Sequence, residues 1–453
     1  MKRYVRSSLV KGILFLIIAG YLFVHLTYIF RPVTMEKLSF EGFYAEKPNS
    51  LDVVFIGTSG LRASIDPIYI YENTGITSYV LATSQQNPKV IPYLIEEVKK
   101  TQSPELYVID LGGCKYEADR WENANEGSIR HISDGLKYSI NYFICITQLC
   151  GIKDSFLYLF DLFYYHNEWD SDLLIYLLKN PSCWNYEVIN DKKGHAIWQK
   201  LQYQDRVYYE NDITERKYVW DEECINRIIE YCRKTDLNVV FFVSNENLTN
   251  YSDYLYLEKI IDEKSSYDLI YMNQYIDEMN LDYKYDFYDV GHLNVNGALK
   301  ASKILAEILN EKIHVDNRVN EQWDSLIDIY DEDLNRALTC LQDYSNNYIC
   351  YDIDGVYNNR RVNFTVNSNN DFDVEYAWYL EHTEESETIV DKVIWYNADK
   401  NNCIDVSDIE VGKNYQIRFF IRSVNQDKNE DKIVAYLNWD SELNDFVLIT
   451  GFY

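Results

Sequence analysis

Four short apolar runs, each closing on small or polar residues, punctuate the first 250 residues of the chain: Leu51–Ser59 (LDVVFIGTS), Ser78–Ser84 (SYVLATS), Glu105–Gly113 (ELYVIDLGG) and Asn238–Ser244 (NVVFFVS). Runs of this length and continuity read as strands buried on both faces of a parallel sheet. Between the second and third, Pro88–Gln102 places Val90, Tyr93, Leu94 and Val98 at helical spacing, with Glu96 and Glu97 ahead of Lys99 and Lys100. Strand, helix and strand in this order predict a right-handed β-α-β crossover, and hence an α/β domain over about 45–315. Asp221–Thr235 reads as an amphipathic helix. Tyr267–Asn280 leads into Phe287–Leu309, a loop entering a closing helix. Residues 115–220 break the rhythm with aromatic helical stretches such as Asp154–His166, and read as a large insertion or cap. After a connecting helix over Glu321–Tyr344 the pattern becomes alternating. RRVNFTV, VEYAWYL, KVIWYN, YQIRFFIR and KIVAYLNW, separated by Asn, Asp and Gly turns, predict a β-sandwich over 345–453.

The first 32 residues belong to neither domain. GILFLIIAGYLFVHLTYIF lies within Leu9–Phe30, holds no acid, and matches the roughly 20 residues that cross a hydrocarbon core. The basic cluster MKRYVR before it predicts a cytoplasmic N-terminus. No small-x-small cleavage site follows, so the expectation is an uncleaved signal anchor with residues 33–453 outside the cytoplasm; a cleaved signal peptide is the alternative.

Charge sharpens this picture. The chain has 453 residues and a formal net charge of −29. Residues 1–32 contain five basic residues and no acid, so the remainder carries 38 basic against 72 acidic residues, a net −34. A body this acidic cannot neutralise phosphates, which excludes a nucleic-acid partner. Forty-two tyrosines are many; they suit carbohydrate-facing surfaces, although compositional drift also produces them. The nine cysteines show no C-x-x-C spacing and read as small buried hydrophobes. No H-E-x-x-H, carboxylate–His cluster or D-x-D-x-D-G loop points to a metal, and GTSGLR lacks the G-K-[ST] of a phosphate loop, so no cofactor is expected.

The candidate chemistry sits at the ends of the strands. Ser59 follows the first strand in a small-residue turn, where open α/β sheets bind ligands; a helix N-cap is the alternative fate of such a serine. Asp289 and His292 are three residues apart on the loop before the closing helix. That spacing lets the carboxylate hold Nδ1 of the imidazole while Nε2 faces a serine; as capping residues they would have no such role. His166 is either a substrate-binding residue or a structural one, and His131 and His195 have no supporting context.

GTSGLRASIDP, SYVLATSQ and YDVGHLNVNGA together resemble the SGNH/GDSL hydrolase superfamily, most closely its membrane-anchored branch that includes the D-alanine transfer protein of teichoic acids and alginate O-acetyltransferases. Asp66-Pro67 matches that branch's turn after the serine. Asp289, His292, Leu293, Asn294, Gly297 and Ala298 match its D-x-x-H-L-N-x-x-G-A segment, and Tyr164–Asp170 resembles its Y-H-x-x-W element. The resemblance covers about residues 50–310 and implies a three-layer flavodoxin-like domain with Ser59 as nucleophile, His292 as base and acid, and Asp289 orienting the imidazole. It also implies an oxyanion hole of the Ser59 amide and a donor from the loop after the second strand, where Ser84 and Gln85 are candidates. The family's G-x-N-D block is replaced by DLGGCKYE, so Gly112 or Gly113 amides are further candidates for the missing asparagine. The expected activity is hydrolysis or transfer of an acyl group, acetyl above all, on a surface polysaccharide. Relatives often work beside a multi-span membrane acyltransferase. A glycan-binding or assembly protein with a degenerate site is the alternative. The C-terminal aromatics resemble tyrosine-rich Ig-like modules of cell-surface enzymes, though strand alternation also sends such rings into a domain's own core.

Overall fold

A computed structural model describes residues 2–116, 126–159, 161–167, 169, 171–206, 215–247, 249–315, 320–346, 351–368, 374–384, 387–397, 402–423 and 430–451. The chain divides into two compact units, Met1–Tyr344 and Ser345–Tyr453.

The first unit is built on five parallel strands: β1 (Val53–Gly57), β2 (Ser78–Ala82), β3 (Leu106–Asp110), β4 (Val239–Val243) and β5 (Asp268–Tyr271), in spatial order β2-β1-β3-β4-β5. This is the order of doubly wound, flavodoxin-like sheets. β1 to β4 are buried at every position, as their unbroken apolar runs predict. β5 was not separable in the sequence: it is only four residues long and its first residue, Asp268, is exposed. The chain moves outward from β1 to β2 and then crosses back past β1 to β3, so right-handed crossovers put helices on both faces.

The N-terminal helix α1 (Lys2–Ile29) contains Leu9–Ile29, 21 residues of mean hydropathy 2.2, long and apolar enough to cross a membrane. Its C-terminal end, from His25 onward, is packed into the unit. Tyr28, Ile29 and Arg31 are fully buried, and Arg31 pairs with Asp161 at 2.8 Å while donating to the carbonyls of Asp134 and Leu136. Helix α2 (Met35–Tyr44) follows α1 after five intervening residues, and its Lys37 ammonium donates to the carbonyls of Ile29 and Arg31, both at 2.9 Å. Those carbonyls lie at a helix end with no intrahelical donor, so the lysine supplies one.

The helical stretch read over Asp154–His166 is broken into short pieces. A helix over Ile140–Ser155 is kinked at Gly151 (φ +78°) and gives way to short turns at Phe156–Leu159, Asp161–Tyr164 and Tyr165–Asn167. Beyond the break Asp161 is fully buried and paired with both Arg31 and Arg130. The helix after the α/β domain, Glu321–Asn346, also differs from a free connector. Trp323, Leu326 and Tyr330 pack into the main core, and Tyr330 donates its hydroxyl to Asp66.

The second unit is all antiparallel. One sheet has five strands, Glu387–Asn397, Val374–Glu384, Tyr415–Ser423, Glu430–Asp440 and Asp445–Gly451, in that spatial order; the other has three, Cys403–Asp405, Arg361–Ser368 and Tyr351–Asn358. Ile353, Val362, Phe364 and Ile404 from one sheet meet Trp378, Ile417 and Phe419 from the other in a single core. Alternation therefore sends Tyr376, Trp378 and Tyr415 inward, whereas Trp395 is exposed.

Candidate active site

Small residues bring the end of β1 close to its neighbours. A Cβ on Gly57 would lie 2.3 Å from the Cβ of Asp110, and one on Gly60 would lie 2.5 Å from the Ser244 hydroxyl. The turn between them is held by Asp110 at the end of β3, whose carboxylate accepts the Thr58 amide at 2.9 Å, the Thr58 hydroxyl at 2.6 Å and the Gly112 amide at 2.7 Å. Thr58 occupies the N-cap position of the short helix Ser59–Ser64, but its side chain is spent on Asp110 rather than on capping. Ser59 is therefore not the cap, and its hydroxyl is left to face the cleft.

The loop that carries the other two residues is fixed just as locally. Asn294 caps the closing helix Val295–Lys312, accepting from the amides of Asn296 and Gly297 and donating to the Tyr285 carbonyl. Gly297 lets that helix start against the backbone of Asp286, since a Cβ there would lie 2.4 Å from the Asp286 carbonyl oxygen. Asp289 and His292 face one another across a tight two-stranded turn, Phe287–Asp289 with His292–Leu293.

The result is a continuous hydrogen-bonded line. His292 Nε2 lies 2.8 Å from Ser59 Oγ, and His292 Nδ1 lies 2.7 Å from Asp289 Oδ1. A carboxylate accepts only, so Nδ1 carries the proton and Nε2 is free to accept the serine's. All three side chains are half-buried. Burial pushes the Asp289 carboxyl up, but the His292 ring and the amides of Gly291 and His292 more than offset this and hold it below the usual carboxylate range. Asp110 shows the opposite balance. Full burial raises its carboxyl despite three hydrogen bonds.

Comparison with protein-family models, with curated proteins and with solved structures gives no match. The site must therefore be read from its own geometry. It opens on a cleft of about 390 Å³ formed by the carboxyl ends of the strands, where Ser59, Asp289 and His292 are joined by Gln85, Gln86, Gly112, Gly113, Lys115, Tyr116 and Glu246. Among the described residues no group of three His, Cys, Asp or Glu side chains is arranged to hold a metal, and the eight described cysteines are free thiols, most of them buried.

Of the other sequence candidates, Gln85 and Gly113 line the cleft, and Gln85 does so at φ +47°. Three fall away. Ser84 turns from the cleft: its amide and hydroxyl both donate to Glu36, and it accepts from Arg62. Gly112 lines the cleft, but its amide already donates to Asp110. His166 is exposed on the Tyr165–Asn167 turn of the insertion and is not among the cleft residues. The insertion contributes Lys115 and Tyr116 to the cleft and no other described residue.

Sequence reasoning missed the Lys115–Glu246 ion pair, which is buried in the cleft wall. Its attraction keeps the ammonium charged against the cost of burial and raises its pKa above that of a free lysine. Both residues lie just beyond strand ends, β3 and β4. That placement was the available signal, and nothing in the local spacing paired them.

Proposed function

We propose that this chain is a serine esterase or O-acyltransferase of the SGNH kind, anchored by α1 with both domains outside the cytoplasm, acting on a cell-surface or exported polysaccharide. The line Ser59–His292–Asp289, with contacts of 2.8 and 2.7 Å at the mouth of an open cleft, carries this reading. Ser59 Oγ attacks the ester carbonyl carbon as its proton passes to His292 Nε2. The carbonyl oxygen becomes an oxyanion, facing the Ser59 amide and the Gln85 loop. Collapse breaks the ester C–O bond, and His292 returns the proton to the departing alcohol. Water or a sugar hydroxyl then attacks the acyl-serine, His292 takes its proton, and the serine leaves with that proton restored. Acetyl is the expected group. Hydrolysis and transfer differ only in the second nucleophile, and transfer calls for an acyl donor delivered across the membrane by a multi-span partner. The exposed Trp395 suits the C-terminal domain to a role beside the glycan.

One observation favours a second reading, a glycan-binding protein without turnover. The asparagine donor of the family it resembles has no counterpart in DLGGCKYE, and the Asp110 carboxylate in that segment consumes the Gly112 amide. The deciding experiment is labelling of the full-length chain with a serine-reactive fluorophosphonate. Wild type is expected to label and Ser59→Ala not to label. Equal labelling of the two, or none in either, would overturn the enzymatic reading.

A further inference from the structure

The insertion presents apolar side chains to the outside beside the end of α1. In the helix Ser171–Lys179 only Leu173 is buried, while Leu174, Ile175 and Leu178 are 59, 46 and 73% exposed. Their spacing puts the three within one sector of the helix. Trp184 and Trp169, 45 and 44% exposed, flank them in sequence. Both reach α1. Trp169 donates its Nε1 hydrogen to the Phe30 carbonyl at 3.2 Å and lies tilted against the Phe30 ring at 5.1 Å, and Trp184 lies 6.3 Å from the His25 ring. Tyr186 completes the contact, hydrogen-bonded to His25 Nδ1 at 2.8 Å and edge-on to Tyr28.

His25 fixes the depth. It lies inside the apolar segment, four residues before its end at Ile29, or about 6 Å at the helical rise. Twenty-one residues span roughly 31 Å, the thickness of a hydrocarbon core, so the level of His25 is just within that core's outer boundary. Side chains that touch His25 from the insertion must share that level. This is the zone where Trp and Tyr rings are favoured, apolar body in hydrocarbon and N–H or O–H toward the headgroups.

We infer that the Trp169–Leu174–Ile175–Leu178–Trp184 surface is a membrane-interface platform: it embeds in the outer leaflet around the exit of α1 and seats the α/β domain on the bilayer. The occupant is phospholipid. The inference rests on α1 being a membrane anchor, and Trp184 and Trp169 join the platform to the end of that helix, whose surface lipid must then cover.

The test uses the full-length chain in phosphatidylcholine–phosphatidylglycerol vesicles with no other protein. None of the nine tryptophans lies in α1, so quenching of tryptophan emission by lipids brominated near the carbonyl end of the acyl chain does not report the anchor, and the part lost with Trp169 and Trp184 reports the insertion. At least two-fold stronger quenching is expected in wild type than in Trp169→Phe/Trp184→Phe. Leu174→Glu/Leu178→Glu changes only exposed positions, so it should keep the wild-type melting temperature in detergent yet lose most of the quenching in vesicles. Absence of quenching in a chain that resists carbonate extraction would overturn the platform while leaving the anchor standing. Release by carbonate would instead remove the anchor, and the platform with it.

Discussion

The Asp110 carboxylate grips Thr58 twice, accepting its amide at 2.9 Å and its hydroxyl at 2.6 Å. Because Thr58 precedes Ser59, this pair sets the direction in which the serine leaves β1. Asp110→Asn replaces one acceptor oxygen with an amino group that must face an N–H. It is expected to destabilise the fold by about 1–3 kcal/mol and to slow phosphonate labelling of Ser59 at least ten-fold. Denaturant unfolding and labelling kinetics check the two effects separately. A labelling rate equal to wild type would show that the turn holds its course without this carboxylate.

Asp289→Asn tests the orienting role. The asparagine can donate to Nδ1 and so stabilise the wrong imidazole tautomer, placing the proton on Nε2 against Ser59. The expected loss in labelling rate is about 10³–10⁴-fold with an unchanged melting temperature. His292→Ala is expected to cost at least about 10³-fold. A loss of only a few-fold in either variant would rule out the proposed roles.

The Lys115–Glu246 pair predicts a non-additive cycle. Lys115→Met leaves a buried carboxylate alone and is expected to cost about 3–5 kcal/mol, whereas Lys115→Met combined with Glu246→Leu should recover most of that loss. Additive single and double variants in urea unfolding would mean that the two charges are solvated independently.

His195 predicts a pH dependence of stability. Its ring is buried, with Nδ1 donating to the Arg62 carbonyl at 3.0 Å, and burial pushes its pKa below the ordinary value. Below about pH 6.5 the unfolded chain binds a proton that the folded chain refuses. The contribution is thus fully present above that pH and is lost on acidification. His195→Asn keeps a donor near the Nδ1 position and should flatten the decline in melting temperature between pH 7 and 5. Parallel wild-type and variant curves would exclude His195 as the source.

Strands β1 to β4 were legible because burial on both faces demands unbroken apolar runs, and runs this short between turn residues suit strands better than helices. The Ser59, Asp289 and His292 arrangement was legible because small residues, a cap and a close-approach glycine are local requirements of the turns that carry it. Ser84 was misplaced for a physical reason: Glu36 and Arg62, distant in sequence, compete for its hydrogen bonds and win. Lys115 and Glu246 were invisible because a long-range ion pair leaves no spacing behind. The insertion was the least legible region. Its Asp161 carboxylate is shared by Arg31 and Arg130, a contact 130 residues long on the Arg31 side that no local pattern announces.

The short, pinned link between α1 and α2 has a further consequence. Residues 30–34 are all that separate the two helices, and Arg31 and Lys37 are fastened at either side. An enzyme hung on a flexible stalk sweeps a wide volume, but this one would have no stalk. A compact unit of some 340 residues has a radius of gyration of about 20 Å, so its working range is a thin layer of that order above the bilayer. Under the proposed function, a polymer would be processed as it emerges through the membrane, before it is folded into a wall or capsule farther out.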